Sequence, residues 1–217
     1  MLILHDFDLS AECYAVRLLA ALIGVPLQLV RVDVYPGREN ESDSFLALNP
    51  LGTVPVLESE AGLLRDWQAI LAYLAIRHDE GCHDAGGQWW PRENPALIGW
   101  LGLARDLANS AGLARLHDGM GVRVDIAKCR ASAHRLLGEI ERQLWFAERA
   151  GQLWLLPGDQ PSAADIAIFV HAVLCEEGGI ERLDYPTLRR WIDRIRHLPG
   201  FIPMSGVFAP SPGSVTP

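Results

Sequence analysis

The chain has 217 residues, 49% of them hydrophobic and 21% charged, with a formal net charge of −8 at pH 7. That composition fits a soluble globular protein of one or two domains with ample core. The negative balance argues against nucleic acid, whose affinity rests on Lys and Arg neutralising phosphates, but leaves small anionic ligands open because helix ends and local charge can oppose the net value.

The start, MLILHDFDLS, lacks the basic residues and long apolar run of a signal peptide. The most apolar later run, ADIAIFVHAVLC, is about half the length that spans a bilayer and contains His171, so no membrane association is expected. Cys13, Cys82, Cys129 and Cys175 are widely spaced, as thiols of a reducing, cytoplasmic compartment are, and do not form a disulfide framework. His78, Cys82 and His83 cluster, yet no second ligand pair stands at zinc spacing, and no metal is expected.

In chain order, LILHDF suits a strand, and Val16, Leu19, Ala20 and Ile23 make a helical stripe ending at Gly24. LQLVRVDV, residues 27–34, is a β-rich run, followed by the polar, mobile-looking YPGRENESDS and a short apolar piece, FLALNP. VPVLE, a turn at Glu60-Ala61-Gly62 and Leu63-Leu64 predict a hairpin that leads into RDWQAILAYL. There Asp66 sits at a cap position, and Trp67, Ile70, Leu71 and Leu74 share one buried face. The order is β-α-β, a break, then β-β-α.

Residues 78–95, rich in Gly, Pro and charge, predict a linker, and the chain beyond reads as all-helical. Its stripes are Leu97, Trp100, Leu101 and Ala104, then a long one from Val122 to Leu144. Ile166, Phe169, Val170 and Val173 form the next, and Leu188, Trp191, Ile192 and Ile195 the last. In PSAAD, Ser162 and Asp165 have capping-box spacing, a folding signal more than a chemical one. The tail GVFAPSPGSVTP reads as loose.

NPLGTVPVLE, the hairpin and DWQAILAYL together resemble the core signature of the cytosolic glutathione transferases. Ser10 after the first strand, the PSAADIAI cap and the ending YPTLRRWIDRIRHLPGF resemble that family too, and WWP in the linker and the late EEGG are similar to its bacterial branch. The resemblance spans residues 1–204. It implies a thioredoxin-like α/β N-terminal domain (1–77), a linker (78–95), an all-α C-terminal domain (96–204) and a flexible tail (205–217), usually as a homodimer. It also implies glutathione as co-substrate and a hydrophobic electrophile entering between the domains, its identity set by the helical face around residues 100–120.

Such chemistry needs a thiolate, because the free thiol is mostly protonated at neutral pH. The resemblance gives Ser10 the role of donor to the sulfur, helped by the field of the following helix; its alternative role is that of a helix cap. It makes the Val54-Pro55 bond cis, with the Val54 main chain pairing the cysteinyl part of glutathione. Asp66 takes the γ-glutamyl ammonium, and Arg38 is a candidate for the glycyl carboxylate or a solvated loop charge. Trp67 replaces the family's Ser or Thr and removes a donor to the γ-glutamyl carboxylate, although the helix N–H groups remain. Two other readings stay open: a non-catalytic binding protein of the same fold, favoured by Trp67, and a glutathione-dependent thiol transferase using Cys13.

Overall fold

The computed structural model describes residues 1–78 and 89–207. Strand β1 (Ile3–Asp6) passes through helix α1 (Ala11–Leu22) to the parallel strand β2 (Gln28–Arg31). Strand β3 (Val56–Ser59) pairs antiparallel with β1 and with β4 (Gly62–Leu64), giving a mixed sheet of order β2-β1-β3-β4. The hairpin closes at Gly62, whose φ of 97° lies where a side chain would be strained. Helix α3 (Trp67–His78) then packs beside α1.

The expected element order is present, with an addition in the break. The polar stretch is not a plain loop: it holds a 3-10 turn at Glu39–Glu41 and helix α2 (Asp43–Leu48). Ser42 caps α2 by accepting from the Phe45 N–H, and Phe45 is buried beside Val32 and Val56. A helix this short carries too few apolar residues to show a period in sequence.

The second half is helical, as expected: α4 (Ala96–Leu107), α5 (Leu113–Met120), α6 (Ile126–Arg149), α7 (Ala163–Leu174) and α8 (Pro186–Arg196). Four details add to or differ from the sequence reading. A π-turn at Ala108–Gly112 joins α4 to α5 without a break, and the long stripe begins at Ile126, since Gly121 at φ 72° ends α5 and Asp125 caps α6. Trp89, placed in the linker by sequence, is buried, and its carbonyl accepts from the Ala163 N–H. At the start of the tail, Val207 is buried and bridged to Met204. The rest of the tail, 208–217, and most of the linker, 79–88 with Cys82 and His83, lie outside the described residues.

Helix α7 is the hub. Every one of its residues is buried, and it packs against α1, α3, α4 and α8. A helix surrounded on all sides offers no water to its polar ends. Asp165, wholly buried, solves this at the start. Its Oδ2 accepts from the N–H (2.8 Å) and hydroxyl (2.9 Å) of Ser162, and its Oδ1 from the Leu155 N–H (3.0 Å) and the Trp191 indole (3.0 Å). Burial raises the Asp165 carboxyl, against the pull of these donors. The capping residue is therefore also the joint between α7, α8 and the preceding loop. Asp165→Asn places an NH2 group against two of those donors and is expected to lower stability by ~3 kcal/mol, whereas Ser162→Ala costs ~1 kcal/mol. Urea unfolding midpoints of the two variants test this ranking.

Candidate active site

A cleft of about 630 Å³ opens between the sheet-bearing half and the helices from α4 to α7. Ser10, Val54, Pro55, Asp66 and Trp67 line its first wall, and Leu113, Leu116, Met120 and Leu174 its apolar opposite wall.

Two loops build the first wall. Residues 7–10 follow β1 and are tied at several points: Ser10 N–H to the Phe7 carbonyl (2.9 Å), the Arg17 guanidinium to Asp6 and the Asp8 carbonyl, and Arg115 Nη1 to the Leu9 carbonyl (2.7 Å). Arg115 reaches in from α5 and is itself paired with Glu177. Burial raises the Asp6 carboxyl, against the pull of Arg17. The second loop is held by the buried Asn49, which donates to Thr53 O (2.7 Å) and accepts from the Leu51 N–H (3.2 Å). It leads to Val54-Pro55, which is cis. No described residue is hydrogen-bonded to the Val54 main chain.

Ser10 occupies both of its anticipated places. Its Oγ accepts from the Cys13 N–H (3.1 Å), capping α1, and it lines the cleft. Its own proton goes to Glu12 Oε2 at 2.9 Å. Glu12 Oε1 in turn lies 4.0 Å from Nε2 of His171, a nitrogen that is buried without a hydrogen-bond partner. Burial pushes the His171 imidazole below its ordinary value, Glu12 acts to raise it, and Arg115 to lower it.

Asp66 caps α3, its Oδ1 accepting from the Gln68 and Ala69 N–H groups at 3.0 Å. Its other oxygen takes Arg105 Nη2 at 2.7 Å, so the position anticipated for an ammonium is shared with a guanidinium from α4. Arg105 also donates to Gln68 Oε1. Trp67 is only 7% exposed, and its ring meets His171 edge-on with centroids 5.8 Å apart. The indole is thus both core and cleft floor, and a serine there would remove a packed side chain before restoring a hydroxyl.

Arg38 is not brought to the cleft. It sits at φ 53° ahead of the 3-10 turn, exposed, with its guanidinium on Glu41. Cys13 does not line the cleft either: it is fully buried, with Sγ accepting from the Phe7 N–H (3.4 Å). Burial first, and then Asp6, push its thiol far above the ordinary value, the opposite of what a thiol nucleophile needs. Among the described residues no cluster of metal-ligating side chains occurs.

Sequence reasoning missed Glu12, Arg105, Arg115 and His171 as cleft residues. Only Glu12, beside Ser10, carried a local signal; the others arrive from helices far along the chain.

The family model described as glutathione S-transferase, N-terminal domain, matches residues 4–81. Maleylacetoacetate isomerase of Pseudomonas aeruginosa is 30% identical over 91% of this chain and 92% of its own. A glutathione S-transferase structure from Pseudomonas fluorescens superposes with a TM-score of 0.78 at 28% identity, covering 94% of this chain and 98% of that one. In fold alone, a glutathione transferase homolog from Lodderomyces elongisporus, described with two GSH per subunit, gives a TM-score of 0.76 at 21% identity, covering 92% and 94%.

The inertness of Cys13 is directly testable. In the native protein Cys13 is expected to resist iodoacetamide at neutral pH and to be modified only after denaturation, as read by peptide mass spectrometry. Rapid native labelling would restore it as a nucleophile.

Proposed function

The chain belongs to the glutathione S-transferase superfamily, and from that premise we propose that it activates the thiol of glutathione for attack on a hydrophobic electrophile. The observation that carries the reading is the convergence in one cleft of Ser10, Val54, Asp66 and the start of α3, facing an apolar wall. Glutathione is an elongated peptide with a charged γ-glutamyl end, an extended cysteinyl segment and a thiol. The cleft offers partners for each in sequence.

Ser10 faces the sulfur. The Val54 main chain, with no partner among the described residues, takes the cysteinyl peptide group in strand fashion. The γ-glutamyl ammonium goes to Asp66 and its carboxylate to Arg105, which already bridges Asp66 and Gln68. Arg105 thereby takes over the role that a Ser or Thr hydroxyl at position 67 would have had. The Trp67 N–H, the first of α3 and without a partner among the described residues, supports the same carboxylate. Thiolate formation then supplies the nucleophile, and the apolar wall holds the electrophile beside it.

The chemistry assigned to Ser10 is stabilisation of the sulfur anion at a helix start, where α1 adds its field. We place the working unit as a cytoplasmic homodimer, as the family resemblance implies. Exposed Ile76 on α3 and Ile98 on α4 supply apolar surface for a subunit contact. The glutathione-binding domain is assigned to residues 1–77 and the electrophile-binding domain to 96–204. The Cys13 thiol-transferase reading finds no support in a buried thiol of raised pKa.

Calorimetric titration with glutathione, followed by conjugation to chlorodinitrobenzene, tests the reading. Ser10→Ala is expected to lower kcat by ~100-fold with little change in glutathione affinity, and Arg105→Met to weaken affinity by ~10–100-fold. No heat of binding at millimolar glutathione, or conjugation indifferent to Ser10→Ala, would overturn it.

A further inference from the structure

The Ser10 hydroxyl presents a difficulty for the role just given to it. It has one proton, and that proton is already directed to Glu12 Oε2 at 2.9 Å, while its lone pair takes the Cys13 N–H at 3.1 Å. A hydroxyl donating to a carboxylate cannot at the same time donate to a sulfur anion. Beyond Glu12 the line of polar groups continues to His171 Nε2, 4.0 Å from Glu12 Oε1 and without any partner in its buried position. Orphaned buried nitrogens are rare and invite a functional explanation. This one needs a single proton, and a modest movement of the carboxylate, to become one half of a hydrogen-bonded ion pair with Glu12.

We propose that Ser10, Glu12 and His171 form a relay that retains the glutathione thiol proton inside the cleft. The step balances without any co-reactant. The S–H bond breaks, sulfur keeps the electron pair, and the proton passes to Ser10 Oγ as Ser10 gives its own to Glu12. Ser10 is left with a proton that points at the thiolate, and Glu12 hands the one it received to His171 Nε2. The arrangement thus turns a hydroxyl aimed at a carboxylate into one aimed at sulfur.

The groups facing His171 suit a proton that is held and then returned. Glu12 on α1 favours the imidazolium; Arg115 on α5 opposes it and is itself paired with Glu177. Among the described residues, α3 brings the uncharged edge contact of Trp67, and the π-turn brings Gly112, where a Cβ would stand 3.5 Å from Nδ1. Burial disfavours permanent charge on the ring.

The relay rests on the proposed glutathione chemistry: the proton it holds stays beside the bound thiolate and can be returned within the cleft.

Proton counting tests the relay. Glutathione is titrated by calorimetry near neutral pH in buffers of different ionisation enthalpy, with thiolate followed by its ultraviolet absorbance and S-methylglutathione as the control without a thiol proton. The native protein is expected to form thiolate while releasing much less than one proton per site, and Glu12→Gln or His171→Gln to release about one proton for each thiolate formed. Release of about one proton per thiolate by the native protein overturns the relay while leaving glutathione binding intact; binding without thiolate overturns it as well. Failure of glutathione to bind at all overturns both this proposal and the function beneath it. The native measurement is decisive even if a variant fails to fold.

Discussion

A helix buried on every side must satisfy its polar ends without water, and that requirement governs this molecule. Helix α7 carries almost nothing but apolar residues, and Asp165 alone gathers the donors of Ser162, Leu155 and Trp191 around its first turn. With that end fixed, α7 can pack against α1, α3 and α4 at once. The same rigidity carries His171 to the cleft floor beside Trp67 and Glu12. The cleft is a consequence of how that helix is seated.

Polar residues at the cleft serve folding and chemistry with the same atoms. Ser10 caps α1 and Asp66 caps α3, so each is oriented by the backbone N–H groups it satisfies. Preorganisation of this kind is what a site needs in order to act on charge as it develops. It also means that the helical half completes both positions, through Arg105 at Asp66 and Arg115 at the Ser10 loop.

Much of the fold was legible in the sequence because its signals are local. The hairpin before α3, the Ser162-Asp165 spacing and the stripes of α4, α6, α7 and α8 all fall within short windows. Helix α2 was missed since six residues give no period, and the linker reading extended to Trp89 because burial by α7's N-terminal contact has no local signature. The site divides the same way. Ser10, Val54, Pro55, Asp66 and Trp67 line the cleft, whereas Arg38 turns to Glu41, its nearest carboxylate. His171 read as an oddity in an apolar run, and its neighbours, Glu12 and Trp67, come from helices more than a hundred residues earlier in the chain.

The hydrogen bond from Arg115 to the Leu9 carbonyl bears on how freely the two halves could be recombined. The sheet-bearing half contains the recognisable signature, which invites treating it as an interchangeable module. Yet the loop carrying Ser10 takes part of its position from a guanidinium more than a hundred residues away, and that guanidinium is held by Glu177, farther still. A chimera that grafts residues 1–78 onto another helical half inherits the signature without its strut. Compatibility between halves in such exchanges is therefore decided by a pair of residues outside the segment that defines the family by sequence.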